Sequence, residues 1–280
     1  MKKWFVRSLW LIALVALASV TSFAQKSKTG SLECNDNWNG NDKRLERHCE
    51  IREQTLAAGD AITVDSGKNG GIQVKGSDRN DVLVRTRVES AAPSRNEAIE
   101  LAKQVRIETG GSRIQSTGPE QKRDAWWSAS FEILVPRRSN LALTAHNGGI
   151  AISDVNGRIE FNGLNGGVVL RRVGGNVHGS TTNGGLVVEL DGSRWDGEEL
   201  NVKTTNGGVT MSVPANYSAR LETGTVNGHV STDFPITVQG RISKELSMDL
   251  GSGGPTVRAM TTNGGVRLKR AGSADSEKNW

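Results

Sequence analysis

Acidic side chains recur along the second half of this sequence, and they set the first chemical question. Asp154, Asp191, Asp233, Glu160, Glu189 and Asp249 all fall among short apolar runs that read as strands. Cleaving a polysaccharide there would require two carboxyl groups flanking one bond, an acid and a base or nucleophile. Asp154, Asp191 and Asp233 sit at different places within their units, and the spacing turns Glu160, Glu189 and Asp249 outward singly. A solvated face accounts for them better, so no catalytic residue and no cofactor is expected. His146, His178 and His229 also differ in position from unit to unit, which prevents a stacked metal column and leaves no metal ligand to assign. No calcium-binding nonapeptide pattern or phosphate loop is credible, because the units lack a fixed aspartate and no helix follows the glycines.

Cys34 and Cys49 are the whole cysteine inventory. In an oxidising compartment such a pair forms a disulfide, closing a loop of about 15 residues and contributing roughly 3 kcal/mol. The rival reading, a metal site with His48, lacks a fourth ligand. Among the tryptophans, Trp126, Trp127 and Trp195 offer a possible ligand surface for a sugar or a partner protein, against the alternative that they fill or cap an end of the fold.

The elements that must position these residues begin after an export signal. Residues 1–24 carry a basic start (Lys2, Lys3, Arg7), an apolar run from Leu9 to Val20 and a small-x-small site at Ser22-Phe23-Ala24, the pattern of a secretory signal peptide. The apolar run falls short of the roughly 20 residues that span a bilayer. Without residues 1–24 the chain has 256 residues (280 minus 24) and 32 basic against 30 acidic side chains (35 minus three, against 30). That near-balance, with no arginine-rich stripe, argues against nucleic acid as a partner.

Abundant glycine, little proline and few aromatics suit many short strands with tight corners. A stapled segment, 25–60, is followed by a β-rich region over 61–140, in which Ser94 and Glu97 form a capping box. Ala98, Leu101, Ala102 and Val105 recur at helical spacing behind it, so one helix is expected over about 94–105.

From Asn147 the chain is periodic. Units of nine residues run NGGIAISDV, NGRIEFNGL, NGGVVLRRV, with apolar fourth and sixth positions (Ile150 and Ile152, Ile159 and Phe161, Val168 and Leu170) and an often apolar ninth (Val155, Leu164, Val173). NGG returns every second unit, so the full repeat is 18 residues. Later asparagines follow at intervals of 23, 21 and 36, the last being twice 18.

Asn-Gly between alternating runs also signals hairpins, which keeps an antiparallel meander in view. A straight strand would place an apolar residue at position eight, where Asp154, Gly163 and Arg172 stand instead. The chain therefore bends within each unit, and a single-stranded parallel β-solenoid over 141–270, with a polar disordered tail at 271–280, is favoured. In that architecture the corners are expected to visit positive φ, which glycine accepts and asparagine tolerates. Asn147, Asn165, Asn183, Asn206, Asn227 and Asn263 are expected to align as an amide ladder.

On these features, the signal-like start, the strands with one inserted helix and the serial NGG-V/I-x-L/V units, the chain resembles over roughly residues 60 to 270 a family of exported bacterial adhesin-like proteins of unknown function, related to the head GIN domain. The resemblance implies a right-handed parallel β-helix outside the cytoplasm and carries over no catalytic residues. The expected function is that of an exported, non-catalytic binding or structural protein of the cell envelope, periplasmic or at the surface, whose partner is an envelope glycan or protein. No integral membrane segment is expected in the mature chain, and the oligomeric state is open. Two alternatives remain: an envelope-stress or regulatory accessory protein docking to a membrane partner, and a polysaccharide-active β-helix enzyme.

Overall fold

The computed structural model describes residues 32–34, 44–233 and 244–272. The signal segment 1–24, most of the loop between Cys34 and Cys49, and the tail from 273 lie outside them.

In chain order the strands are β1 (Glu46–Ala57), β2 (Ala61–Asp65), β3 (Ile72–Ser77) and β4 (Asp81–Ala92), then helix α1 (Arg95–Gln104), then β5 (Arg106–Gly110), β6 (Arg113–Thr117) and β7 (Trp126–Pro136). The periodic part follows as β8 (Asn140–Asn147), β9 (Ile150–Ser153), β10 (Asn156–Asn165), β11 (Val168–Arg171), β12 (Gly174–Asn183), β13 (Leu186–Glu189), β14 (Glu199–Asn206) and β15 (Val209–Val213). The last group is β16 (Ala219–Asn227), β17 (Val230–Thr232), β18 (Glu245–Leu250), β19 (Thr256–Asn263) and β20 (Val266–Arg270).

These strands form two ten-stranded sheets. Sheet A runs β1-β4-β7-β3-β9-β11-β13-β15-β20-β17, and sheet B runs β18-β16-β19-β14-β12-β10-β8-β2-β6-β5. Each NGG corner leads from a strand of sheet B into one of sheet A, and each strand from β8 to β13 pairs in parallel with its equivalent one repeat on, as in Ile159↔Val177 and Val168↔Leu186. Antiparallel pairs occur towards the ends, β1 with β4, β4 with β7, β5 with β6 and β16 with β18. Inward positions alternate with outward ones along each strand. The core therefore draws Ile150, Ile152, Val168 and Leu170 from sheet A and Leu143, Ile159, Val177 and Leu200 from sheet B, none more than 2% exposed. Each such side chain stabilises by roughly 1.5 to 3 kcal/mol when fully buried.

The capping box is present at α1: Ser94 Oγ accepts from the Glu97 N–H, and the Glu97 carboxylate accepts from the Ser94 N–H. Ala98 and Ala102 are its buried face. At the other end the Ala102 carbonyl accepts from the Val105 N–H, and the Arg52 guanidinium, from β1, donates to the carbonyls of Ala102 and Val105, tying the helix end to the sheet. Cys34 and Cys49 are bonded, with Cα atoms 5.7 Å apart, which ties the preceding segment to β1.

Several expectations are corrected. Positive φ occurs at the first glycine of two NGG corners, Gly70 (φ 146) and Gly264 (φ 158), but not at Gly148, Gly166, Gly184 or Gly207. Among described non-glycine residues only Ser112, Asp154 and Arg172 have positive φ, and the corner asparagines have none. Gly148, Gly166, Gly184 and Gly207 stack so closely that a Cβ on any of them would overlap the carbonyl of the glycine one repeat back. Backbone touching backbone is the reason for glycine here. The left-handed residues lie at the opposite corner, at Asp154 (φ 60), Arg172 (φ 49) and Gly192 (φ 74).

The ninth position does not always turn inward. Val155 is buried and Val173 half-buried, but Leu164 is 36% exposed, because it precedes the corner asparagine on an outward step. Among the described residues the interval from Asn227 to Asn263 does not hold a further stacked unit either. β18 lies antiparallel against β16, and β19 inserts between β14 and β16. The sequence reading also missed a first repeat: Asn69-Gly70-Gly71-Ile72-Gln73-Val74 carries the full motif. β2 and β3 pair in register with β8 and β9, and β4, α1 and β5 to β7 form an excursion before the chain returns.

Candidate functional site

The corner asparagines come together in one column. Asn165 Nδ2 donates to Asn147 Oδ1, Asn183 to Asn165 and Asn206 to Asn183, each at 2.8 Å. Asn69 extends it at one end, accepting from Asn147 at 3.0 Å. At the other end Asn263 donates to Asn206 and Asn227 donates to Asn263, both at 2.8 Å.

Two residues before each asparagine the side chain points inward, and there the sequence reading missed a role. Thr181, Thr204 and Thr261 are buried and donate from Oγ1 to the carbonyls of Gly166, Gly184 and Gly207, at 2.7 to 2.8 Å. Thr225 does the same for Gly264 at 2.8 Å. The signal was available: the first threonine of TTNGG is in phase with the inward set, and a buried hydroxyl must find an acceptor.

The tryptophans do not form a shared platform. Trp127 and Trp195 are only 5% and 3% exposed, with indole N–H groups donating to the carbonyls of Pro119 and Gly175. Trp126 is half-buried, with the Arg47 guanidinium 5.1 Å from its ring centroid. Trp126 and Trp127 stand on β7 and Trp195 in the segment between β13 and β14, so they serve different parts of the fold. An indole that buries its body and satisfies its one donor is packing, as Trp127 and Trp195 do, while Trp126 keeps part of its ring at the surface.

Two concave regions bear on binding. The first is a groove of about 490 Å³ at the corner opposite the asparagines, bordered by Arg137, Asp154, Arg172, Asp191, Arg194 and Tyr217. Its charges alternate. Arg172 holds Asp154 through two bonds of 2.7 and 2.8 Å, and Arg137 holds Asp78 at 2.7 Å. The hydrogen bond from Arg172 holds the Asp154 carboxyl below its ordinary value, against the opposing effect of burial. Burial, with Asp191 adding to it, pushes the Tyr217 phenol up. The pairing makes this corner a stabilising ladder.

The second lies on the outer face of sheet B, where side chains align across seven strands in one row. Thr63 is paired with Ala142, Ala142 with Glu160, Glu160 with His178, His178 with Asn201, Asn201 with Arg258 and Arg258 with Glu222. Two shallow depressions follow that row, of about 350 Å³ around Thr63, Glu160 and His178 and about 520 Å³ around Asn201, Lys203 and Arg258. Six steps of about 4.8 Å make the row roughly 29 Å long. Two of its carboxylates are held by cations, Glu160 by Arg158 at 2.7 Å and Glu222 by Arg258 at 2.8 Å, and beside the row Glu199 lies 3.3 Å from the His178 ring. Of the remaining histidines, His146 on β8 and His229 between β16 and β17 are exposed by the NGG corners. Among the described residues no group of three or more His, Cys, Asp or Glu side chains is placed to hold a metal ion.

No family model matches the chain, and no curated protein matches it. Solved structures do. A putative cell adhesion protein from Clostridium sporogenes is 10% identical, covers 80% of this chain and all of its own, and superposes with a TM-score of 0.44. A putative adhesin from Bacteroides fragilis is 10% identical over 79% of this chain and 97% of its own, with a TM-score of 0.29. A putative lipid binding protein from Parabacteroides distasonis is 10% identical over 79% of this chain and 96% of its own, with a TM-score of 0.31. No helix among the described residues is long and apolar enough to cross a membrane.

Proposed function

We propose that the chain is an exported, non-catalytic binding protein of the cell envelope, built as a parallel β-solenoid, that lays an extended glycan along the outer face of sheet B. In this reading 1–24 is removed as a signal peptide, 25–60 staples one end, and the coils run from β2 and β3 through 141–270. Right-handed coiling is the sense that parallel crossovers adopt.

The observation that carries the reading is the row from Thr63 to Glu222 with its two adjoining depressions. In the row His178, Asn201 and Arg258 supply donors and Glu160 and Glu222 acceptors, one strand apart, and Glu199 and Lys203 flank Asn201 on β14. Such a row suits a hydroxyl-rich polymer that repeats along its own length, with affinity distributed over many modest contacts. A carboxylate held in an ion pair is poorly placed to pass a proton to a leaving group, which favours retention over cleavage. The Cys34–Cys49 bond fits a chain that matures in an oxidising compartment.

The test is binding of the full chain to an array of envelope polysaccharides, with released products followed in parallel. Retention of polymer without product is expected, and Lys203→Ala with Arg258→Ala should weaken it about tenfold, or 1.4 kcal/mol. Product release would support an enzyme instead. Capture of a membrane protein with no polymer retained would support the accessory role.

A further inference from the structure

Residues 256–270 fill a slot that the rest of the chain leaves open. β14 and β16 follow one another in sequence within sheet B, yet β19 lies between them, with Asn206↔Asn263 on one side and Asn227↔Asn263 on the other. In sheet A, β20 likewise lies between β15 and β17. After β15 the chain therefore steps past one position, lays down β16 and β17, runs outside as the antiparallel β18, and returns to occupy the place it skipped.

Both walls hold the inserted pair by the contacts used throughout the repeat. Val257, Ala259, Val266 and Leu268 are at most 1% exposed. Asn263 donates to Asn206 and accepts from Asn227, while Thr261 Oγ1 donates to the Gly207 carbonyl and Thr225 Oγ1 to that of Gly264. A single described connection, Gly251-Ser252-Gly253-Gly254-Pro255, joins the pair to β18. Gly251, Gly253 and Gly254 take φ of 53, 73 and 138° there, conformations that glycine adopts readily and other residues rarely. A Cβ on Gly251 would press on Ser218 as the loop crosses the segment leading into β16.

We propose that β19 and β20 form a donor segment that two copies of this chain exchange, each filling the other's slot, with residues 251–255 as the hinge. Every bond across the slot is the same whether the segment comes from its own chain or from a second copy, so exchange alters only the hinge and the translational entropy. A second copy is the occupant that fits. The slot requires an asparagine in the amide column, a threonine two residues before it, and a glycine where a Cβ would meet the Gly207 carbonyl. Residues 256–270 of this same sequence supply all three.

The test uses two full-length variants, Asn206→Cys and Asn263→Cys, mixed at high concentration, warmed into partial unfolding, cooled and oxidised. Exchange should yield dimers linked from residue 206 of one copy to residue 263 of the other, about tenfold above either self-linked product. In dilute solution the double variant should close within one chain, and once closed it should suppress exchange with added chains. Should the thiol variants fail to fold, native chains bearing two different tags replace them. Mixed-tag dimers should then appear only after warming, and an excess of a synthetic 255–270 peptide should suppress them. Monomers at every concentration, or links confined to 206–206 and 263–263, would overturn the proposal.

Discussion

Adding one methyl group at Gly184 and one at Gly185 should have very different consequences. A Cβ on Gly184 would overlap the Gly166 carbonyl, whereas one on Gly185 would meet only the Gly208 carbonyl, at 3.6 Å, an ordinary contact. Gly184→Ala should therefore destabilise by about 3 kcal/mol, the upper range for overpacking, and Gly185→Ala by less than about 1 kcal/mol. Urea midpoints at constant m would show the difference, and equal losses would contradict close backbone stacking as the reason for the motif. Thr204→Val keeps the shape but removes the hydroxyl that donates to the Gly184 carbonyl. About 1 to 3 kcal/mol should be lost, with Thr204→Ser losing less. Acid should act through Asp154. Its folded carboxyl is depressed from the ordinary 3.8 by Arg172, so the pair's contribution is complete above that value and fades as pH falls through the folded one. A urea-midpoint series from about pH 6 down to about pH 2 should lose its steepest part in Arg172→Gln. An unchanged profile would mean that the pair contributes nothing measurable. The columns were legible as columns because matching letters recur at a fixed interval. The reason for glycine was not, since positive φ and a missing Cβ leave the same letter in the sequence.

At the scale of elements, alternation marked the strands reliably, because one face of each is buried and the other is not. Helix α1 was legible for a different reason, a capping box followed by an apolar stripe. Asn69 was missed because its repeat stands alone before the long excursion through β4 to β7, and periodicity is visible only in company. The insertion of β19 was hidden because every repeat shares one register, so no letter says which neighbour a strand will choose. Trp195 was ambiguous, since an insert can carry an indole outward or fold it back onto the Gly175 carbonyl. Packing within sheet B also follows a compensation that spacing alone does not reveal. Phe161 and Gly179 are paired, and a side chain on Gly179 would run into the Phe161 ring. Gly179→Val should cost about 3 kcal/mol alone. Combined with Phe161→Val it should recover most of that loss, a coupling of about 1 to 3 kcal/mol in a double-mutant cycle. Additive losses would show that the two sites relax independently.

For the whole molecule, the central claim is that binding spreads along the outer row of sheet B and not into one pocket. The corner groove is the natural control, because its Asp154 and Arg172 are already paired with one another. The most direct measurement is the affinity of the full chain for a graded series of oligosaccharides cut from a polymer that it retains, determined by titration calorimetry. Affinity should rise with length until the ligand spans the row, roughly 29 Å from its strand spacing, and then level off. Lys203→Ala with Arg258→Ala should lower it about tenfold for long ligands, or 1.4 kcal/mol, while Asp154→Asn should leave it unchanged. Affinity already complete with a single sugar unit, or lost on changing the corner groove and untouched by changes on sheet B, would contradict the account.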